Sequence, residues 1–98
     1  MIADTLQSIG IPCAYGHFTK PVAPPFIVYT GNGQTTFGAD NTWHYTNNRY
    51  QVEYYFKTKS ELKERRIEMI LLRDGFNYEK SEDIFIEDEG LYVIYYYI

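Results

Sequence analysis

The sequence predicts an α+β fold: a single domain spanning residues 1–98, its antiparallel or mixed β-sheet packed by two helices in the order α-β-β-β-α-β-β. Three stretches carry this prediction. From Arg49 to Lys57, Tyr50, Val52, Tyr54 and Phe56 alternate with Arg49, Gln51, Glu53 and Lys57. Such period-two alternation gives a strand one buried face and one mostly wet face, with Tyr55 as the exception. A charged helix then opens on Thr58-Lys-Ser-Glu61, which has the Thr-x-x-Glu form of a capping box, and runs to about Asp74. Leu91 to Ile98 reads as a closing strand that is apolar or aromatic on both faces. Both faces need cover, and another copy of the chain is one source of it.

The remaining elements follow in chain order. Ile2, Leu6 and Ile9 have helical spacing, which predicts a short helix over residues 2–9 that stops at Gly10. Residues 11–25 hold all four prolines and read as an extended arm. A strand can begin only after Pro24-Pro25, because proline donates no ladder hydrogen bond. That strand is Phe26 to Thr30. Gly31-Asn-Gly33 has the composition of a tight hairpin turn, and a weaker return strand follows from Gln34 to about Gly38. Trp43-His-Tyr45, between Asp40-Asn41 and Asn47-Asn48, is either a loop or a second hairpin arm.

On a helical wheel Leu62, Ile67, Ile70 and Leu71 fall along one broad side of the long helix, with Leu72 on another. A helix facing one sheet should be polar there, so the extra apolar face around Met69 and Leu72 predicts a second contact, within the domain or between subunits. Gly75 suits a left-handed helix cap, with Phe76 folding back on Leu71. A strand over 76–80, an acidic stretch around Ile84-Phe-Ile86 and a turn at Asp88-Glu-Gly90 lead into the final strand.

Composition sets the functional class. The chain has 98 residues, 45% of them hydrophobic, 22% charged and 18% aromatic, with eleven tyrosines. That is enough for one core, and tyrosine suits half-buried strand surfaces. The net charge of −4 and the lack of a basic run beyond Arg65-Arg66 argue against a phosphate-gripping protein and against sequence-specific nucleic-acid binding. Aromatic strands can stack single-stranded bases, but the strand from Leu91 carries no basic residue to hold the backbone. The single cysteine fits a reducing compartment. The N-terminal stretch does not read as a signal peptide, and no apolar run reaches the roughly 18 residues of a membrane span, so no membrane partner is expected.

Catalytic and ligand chemistry is sparse. Cys13 and His17 lack an orienting group and an oxyanion site, so Cys13 reads as a packing residue. His17, His44, Cys13 and Asp40 match no metal-ligand spacing. Gly31-Asn-Gly33 opens no helix and precedes no suitably placed lysine, which sets aside a phosphate loop. Glu82-Asp83 with Glu87-Asp88-Glu89 lacks the alternating ligands of a calcium loop and reads as an acidic edge that discourages unwanted strand pairing. Phe37, Trp43 and Tyr45 are either core residues or a contact patch. No enzyme activity and no cofactor are expected.

The order of several segments resembles a family. These are Leu6 through Ile11-Pro-Cys-Ala-Tyr-Gly-His-Phe18, Ala23-Pro-Pro-Phe-Ile-Val-Tyr29, Phe37-Gly-Ala-Asp-Asn41, Arg49 to Phe56, and Phe76-Asn-Tyr-Glu-Lys-Ser-Glu82 with the closing aromatic strand. Together they resemble the tail terminator or tail-completion proteins of tailed bacteriophages and prophages, minor tail components of the virion. The resemblance implies a structural role with no catalytic residues. Such proteins form rings, commonly hexameric, that cap the tail tube, stop its polymerisation and present a surface to the filled head. The implied partners are other copies of the chain, the major tail tube protein and a head-completion or connector protein. The implied location is the virion tail, after assembly in the bacterial cytoplasm. A head-to-tail connector of the same morphogenesis module is the alternative.

A head-to-tail ring needs two different complementary patches per subunit. Phe37, Trp43 and Tyr45 are expected to form one, and Met69 and Leu72 the other. Acidic groups facing the lumen would keep DNA from sticking, with Glu53, Glu61 and Glu87 to Glu89 as candidates.

Overall fold

The computed structural model describes residues 1–38 and 44–98, with side chains for 1–34 and 48–98. The elements are α1 (Ile2–Gln7), β1 (Cys13–Tyr15), β2 (Phe26–Gly38), β3 (His44–Phe56), α2 (Glu61–Arg73), β4 (Glu79–Lys80), β5 (Ile84–Ile86) and β6 (Leu91–Tyr97). They form an α+β domain with a mixed sheet ordered β1-β2-β3-β6-β4, and β5 also lies along β6. Only the β1–β2 pair is parallel. β4 pairs with the end of β6 and β5 with its beginning.

Strand register explains the core. Ile27 lies opposite Tyr54, which lies opposite Ile94, and Val52 lies opposite Tyr96, so these side chains share one face of the sheet. Both helices cover that face, with Leu6 of α1 and Ile67 and Leu71 of α2 fully buried against it. Each fully buried leucine or isoleucine contributes on the order of 2 kcal/mol relative to exposure. The interior therefore depends on the few α2 residues that point inward.

The α2 ends are capped, though not entirely as the sequence suggests. Ser60, rather than Thr58, is the N-cap, and its hydroxyl accepts from the Lys63 amide at 3.3 Å. At the other end the Phe76 amide donates to the Leu71 carbonyl at 2.9 Å and the Gly75 amide to the Leu72 carbonyl at 3.1 Å. This is a Schellman motif, and the φ of +89° at Gly75 is the left-handed conformation it requires. Phe76 then packs against the core, as expected.

Other expectations need correction. The Gly31-Asn-Gly33 segment is no hairpin turn, because β2 continues through it to Gly38. Gly31 pairs with Tyr50 and Gln34 with Asn48, so Asn32 and Gly33 oppose Arg49 alone, and Gly33 takes a φ of +78°. The Asn-Gly signal marks a β-bulge, which uses the same positive φ as a tight turn. The Trp43-His-Tyr45 stretch takes the hairpin-arm reading at His44 and Tyr45, while Trp43 falls outside the described residues. The strand over 76–80 shrinks to two residues, and Ile84–Ile86 forms a strand of its own, giving the order α-β-β-β-α-β-β-β. The proline arm also contributes β1 to the sheet.

β2 and β3 reach well past their neighbours. β1 pairs with β2 only as far as Tyr29, and the β3–β6 register begins at Gln51. Beyond Gly31 and Tyr50 the two strands pair only with each other, as a ribbon leaving the body. Gly31 to Gly38 adds about 25 Å at roughly 3.3 Å per residue, which accounts for the 50 × 25 × 23 Å dimensions. The radius of gyration, 15.0 Å, exceeds the ~13 Å of a compact domain of this length for the same reason.

Candidate functional site

The features that stand out are two exposed surfaces. The first is the outer side of α2. Leu62 is 80% exposed, Met69 64% and Leu72 52%, although Leu71 beside Leu72 is fully buried. The spacing of 62, 69 and 72 puts the three on a stripe opposite Ile67 and Leu71. Leu62 thus sits with Met69 and Leu72 on the outer face, not with Ile70 as the wheel suggested. At about 100° per residue Leu62 lies about 180° from Leu71, so it faces away from the sheet, while Glu64 in the same turn is buried.

Lys63, Arg65, Arg66 and Arg73 border this stripe, and with Leu62, Met69 and Ile70 they line an open groove of about 600 Å³. Two of these cations are held by α1 and its C-terminal turn. Arg66 Nε donates to the Ile9 carbonyl at 3.0 Å, and Arg73 Nη2 donates to Ser8 Oγ at 3.2 Å. Arg73 also pairs with Asp74 at 2.8 Å. Its hydrogen bond, with another from Thr5 Oγ1, pulls the Asp74 carboxyl down to about 2.

A buried ion network holds α2 in this orientation. Glu64 is 2% exposed, yet Lys59 Nζ lies 2.7 Å from its Oε2 and Lys80 Nζ 2.9 Å from its Oε1. Lys80 also reaches Glu68 at 2.8 Å, and Tyr96 Oη donates to Glu68 at 2.8 Å. Burial opposes the Glu68 charge, but the bonds from Lys80 and Tyr96 outweigh it and hold its pKa below the ordinary value. Burial and the Glu68 bond push the Tyr96 phenol far up. A buried pair of this kind is weak evidence for stability but fixes geometry, here the rotation of α2 over β4 and β6.

The second surface wraps the sheet edge at β5. Phe85 lies opposite Tyr92 with ring centroids 5.0 Å apart, and Tyr92 stacks on Phe56 at 5.5 Å, so this pair is on the helix-bearing face. Ile84, opposite Val93, points to the other face. Phe85 is 53% exposed, and Ile84 and Tyr92 are also exposed. Glu82 and Asp83 precede β5 and Glu87, Asp88 and Glu89 follow it, all exposed, whereas Glu79 lies opposite Tyr97 at the other end of β6. Of these, Asp83 is neutralised by Lys59 at 2.9 Å.

The other expected positions fall as follows. Phe37 and Tyr45 pair across the ribbon, their side chains outside the described ones, and Trp43 lies outside the described residues altogether. Glu53 is half-buried on the face away from the helices, where it accepts from Tyr55 Oη at 2.6 Å and from Gln51 Nε2 at 3.0 Å. Glu61 and Glu87 to Glu89 are exposed. On that same face the arm covers part of the sheet, Phe18 meeting Phe26 edge-on at 5.5 Å, and leaves a cleft of about 710 Å³. Val93 is fully buried, whereas Tyr95 and Tyr97 are half-buried, so cover on this side is partial.

Cys13 is half-buried at the core margin, where burial pushes its thiol up to about 11. It is therefore a protonated packing group at neutral pH. Among the described residues no three His, Cys, Asp or Glu side chains converge as a metal site would require, and no helix is long and apolar enough to cross a membrane. Sequence reasoning missed Leu62 and the Ile84, Phe85 and Tyr92 surface. The seven-residue step from Leu62 to Met69, two helical turns, could have revealed the first.

Compared with known proteins, the chain matches no family model, no curated protein and no solved structure.

Proposed function

We propose that this chain is a structural subunit of a tailed bacteriophage or prophage particle, a tail terminator that closes the tail tube as a ring, hexameric by analogy with the family it resembles. The observation that carries the reading is the outer face of α2. A domain of this size leaves three large apolar residues, Leu62, Met69 and Leu72, in a row on a rigid, doubly capped helix. Such a surface suits a lasting protein contact. The segment order resembling tail terminators supports the particular role. Under this reading the ring binds the last layer of the major tail tube protein on one side and a head-completion protein on the other. It carries no chemistry of its own.

The test is to mix purified protein with tail tubes of the major tail protein encoded beside it, and with tailless heads, and to image both by electron microscopy. A ring at one end of each tube, with tube length no longer increasing, is the expected result. Density on the heads with bare tubes would overturn the terminator reading in favour of a head-to-tail connector. Binding to neither would overturn both.

A further inference from the structure

We propose that the outer face of α2 docks onto the β5 edge of a second copy of this chain, so that subunits join head to tail through two different surfaces. The inference deepens the ring reading and rests on it for closure, though not for the contact itself. Four of the nine lysines and arginines, Lys63, Arg65, Arg66 and Arg73, border the apolar stripe of α2. Four of the thirteen acids, Glu82, Glu87, Asp88 and Glu89, flank β5 in the chain, are exposed and have no ion-pair partner among the described residues, while a fifth, Asp83, is paired with Lys59. The only cation within that second segment, Lys80, is held by Glu64 and Glu68. A chain with a net charge of −4 therefore has one basic and one strongly acidic apolar surface.

The signs select the pairing. With Arg73 paired to Asp74 and Asp83 to Lys59, two α2 faces meeting around a twofold axis would bring six unpaired cations together, and two β5 edges would bring eight unpaired carboxylates together. Like charges opposed across an interface cost several kcal/mol. Only the crossed arrangement puts Leu62, Met69 and Leu72 against Phe85 and Tyr92 with arginine facing carboxylate around them. The two surfaces also point in different directions. The α2 stripe faces away from the sheet, while β5 closes it laterally with no partner strand on its outer side among the described residues. A contact between two unlike surfaces leaves each subunit with one free half of the interface, which propagates into a ring or a filament.

The test uses two variants that break one surface each and spare the residues tied into the fold. Arg65→Glu with Met69→Glu disables the α2 side, and Glu82→Lys with Glu87→Lys disables the β5 side. Circular dichroism and thermal melting check that each still folds. In light scattering and sedimentation the wild type is expected to form a discrete multimer that weakens with salt. Each variant alone should associate about a hundredfold more weakly or worse. Mixed in equal amounts, the variants should form a one-to-one dimer and nothing larger, because one intact α2 face meets one intact β5 edge. A folded variant that still assembles, a mixture that stays monomeric, or a wild type that is monomeric at every concentration would each overturn the proposal. If the mixed dimer forms but wild-type rings leave tail tubes bare, the contact stands and the tail function fails.

Discussion

The two faces of α2 differ by a single step along the chain. Leu71 is fully buried against the sheet, and Leu72, one residue on and rotated by about 100°, is half in water. The inner face meets Tyr96, Ile94 and Leu6, and a strict selection for volume holds there. The outer face is exposed among the described residues, which suits its apolar residues to serve a partner. The lesson is that hydrophobicity in this helix reports two separate requirements, folding and association, which a mutation can separate.

The largest expected effect separates them directly. Leu71→Ala should lower unfolding stability by about 3 kcal/mol in urea denaturation, through lost burial and a residual cavity. Leu72→Ala should stay within about 0.5 kcal/mol of wild type, yet reduce the assembled mass seen by light scattering. Equal losses of stability from both would erase the distinction between the faces.

A smaller effect comes from the ions beneath the helix. Lys80→Met removes the cation shared by Glu64 and Glu68 and should cost about 2 kcal/mol, less than a fully buried pair because Lys80 remains partly solvated. If the network sets the rotation of α2, the same variant should also weaken association. A change in stability with unchanged assembly would confine the network to folding.

The smallest effect is in the acid limb of stability. The Glu68 pKa is lower in the folded chain than its ordinary value of 4.5, so the folded state binds fewer protons. The contribution is complete above pH 4.5 and disappears as pH falls through the depressed folded value. Glu68→Gln should therefore flatten the decline in stability below about pH 4.5 while leaving its shape between pH 6 and 8 unchanged. An acid limb identical to wild type would show that other carboxylates dominate it.

Periodicity was enough to place α2 and the Arg49–Phe56 part of β3, because each buries one face over many residues and so repeats the signal, while β6 was legible as an unbroken apolar and aromatic run. The Gly75 cap was legible because few residues accept its backbone angles. The Asn-Gly signal at Gly31-Asn-Gly33 was read as a turn, yet positive φ serves a bulge equally well. Only pairing with Arg49 on the opposite strand distinguishes the two. Local sequence thus determined where the long elements lie and which residues are apolar. Tertiary structure decided which apolar residues are core: Leu62 and Leu71 are the same side chain on the same helix, and burial depends on which side of that helix is turned towards the sheet. It also decided that the acidic stretch at β5 and the basic outer side of α2 face in different directions, because the orientation of one surface relative to another exists only once the chain has folded in three dimensions.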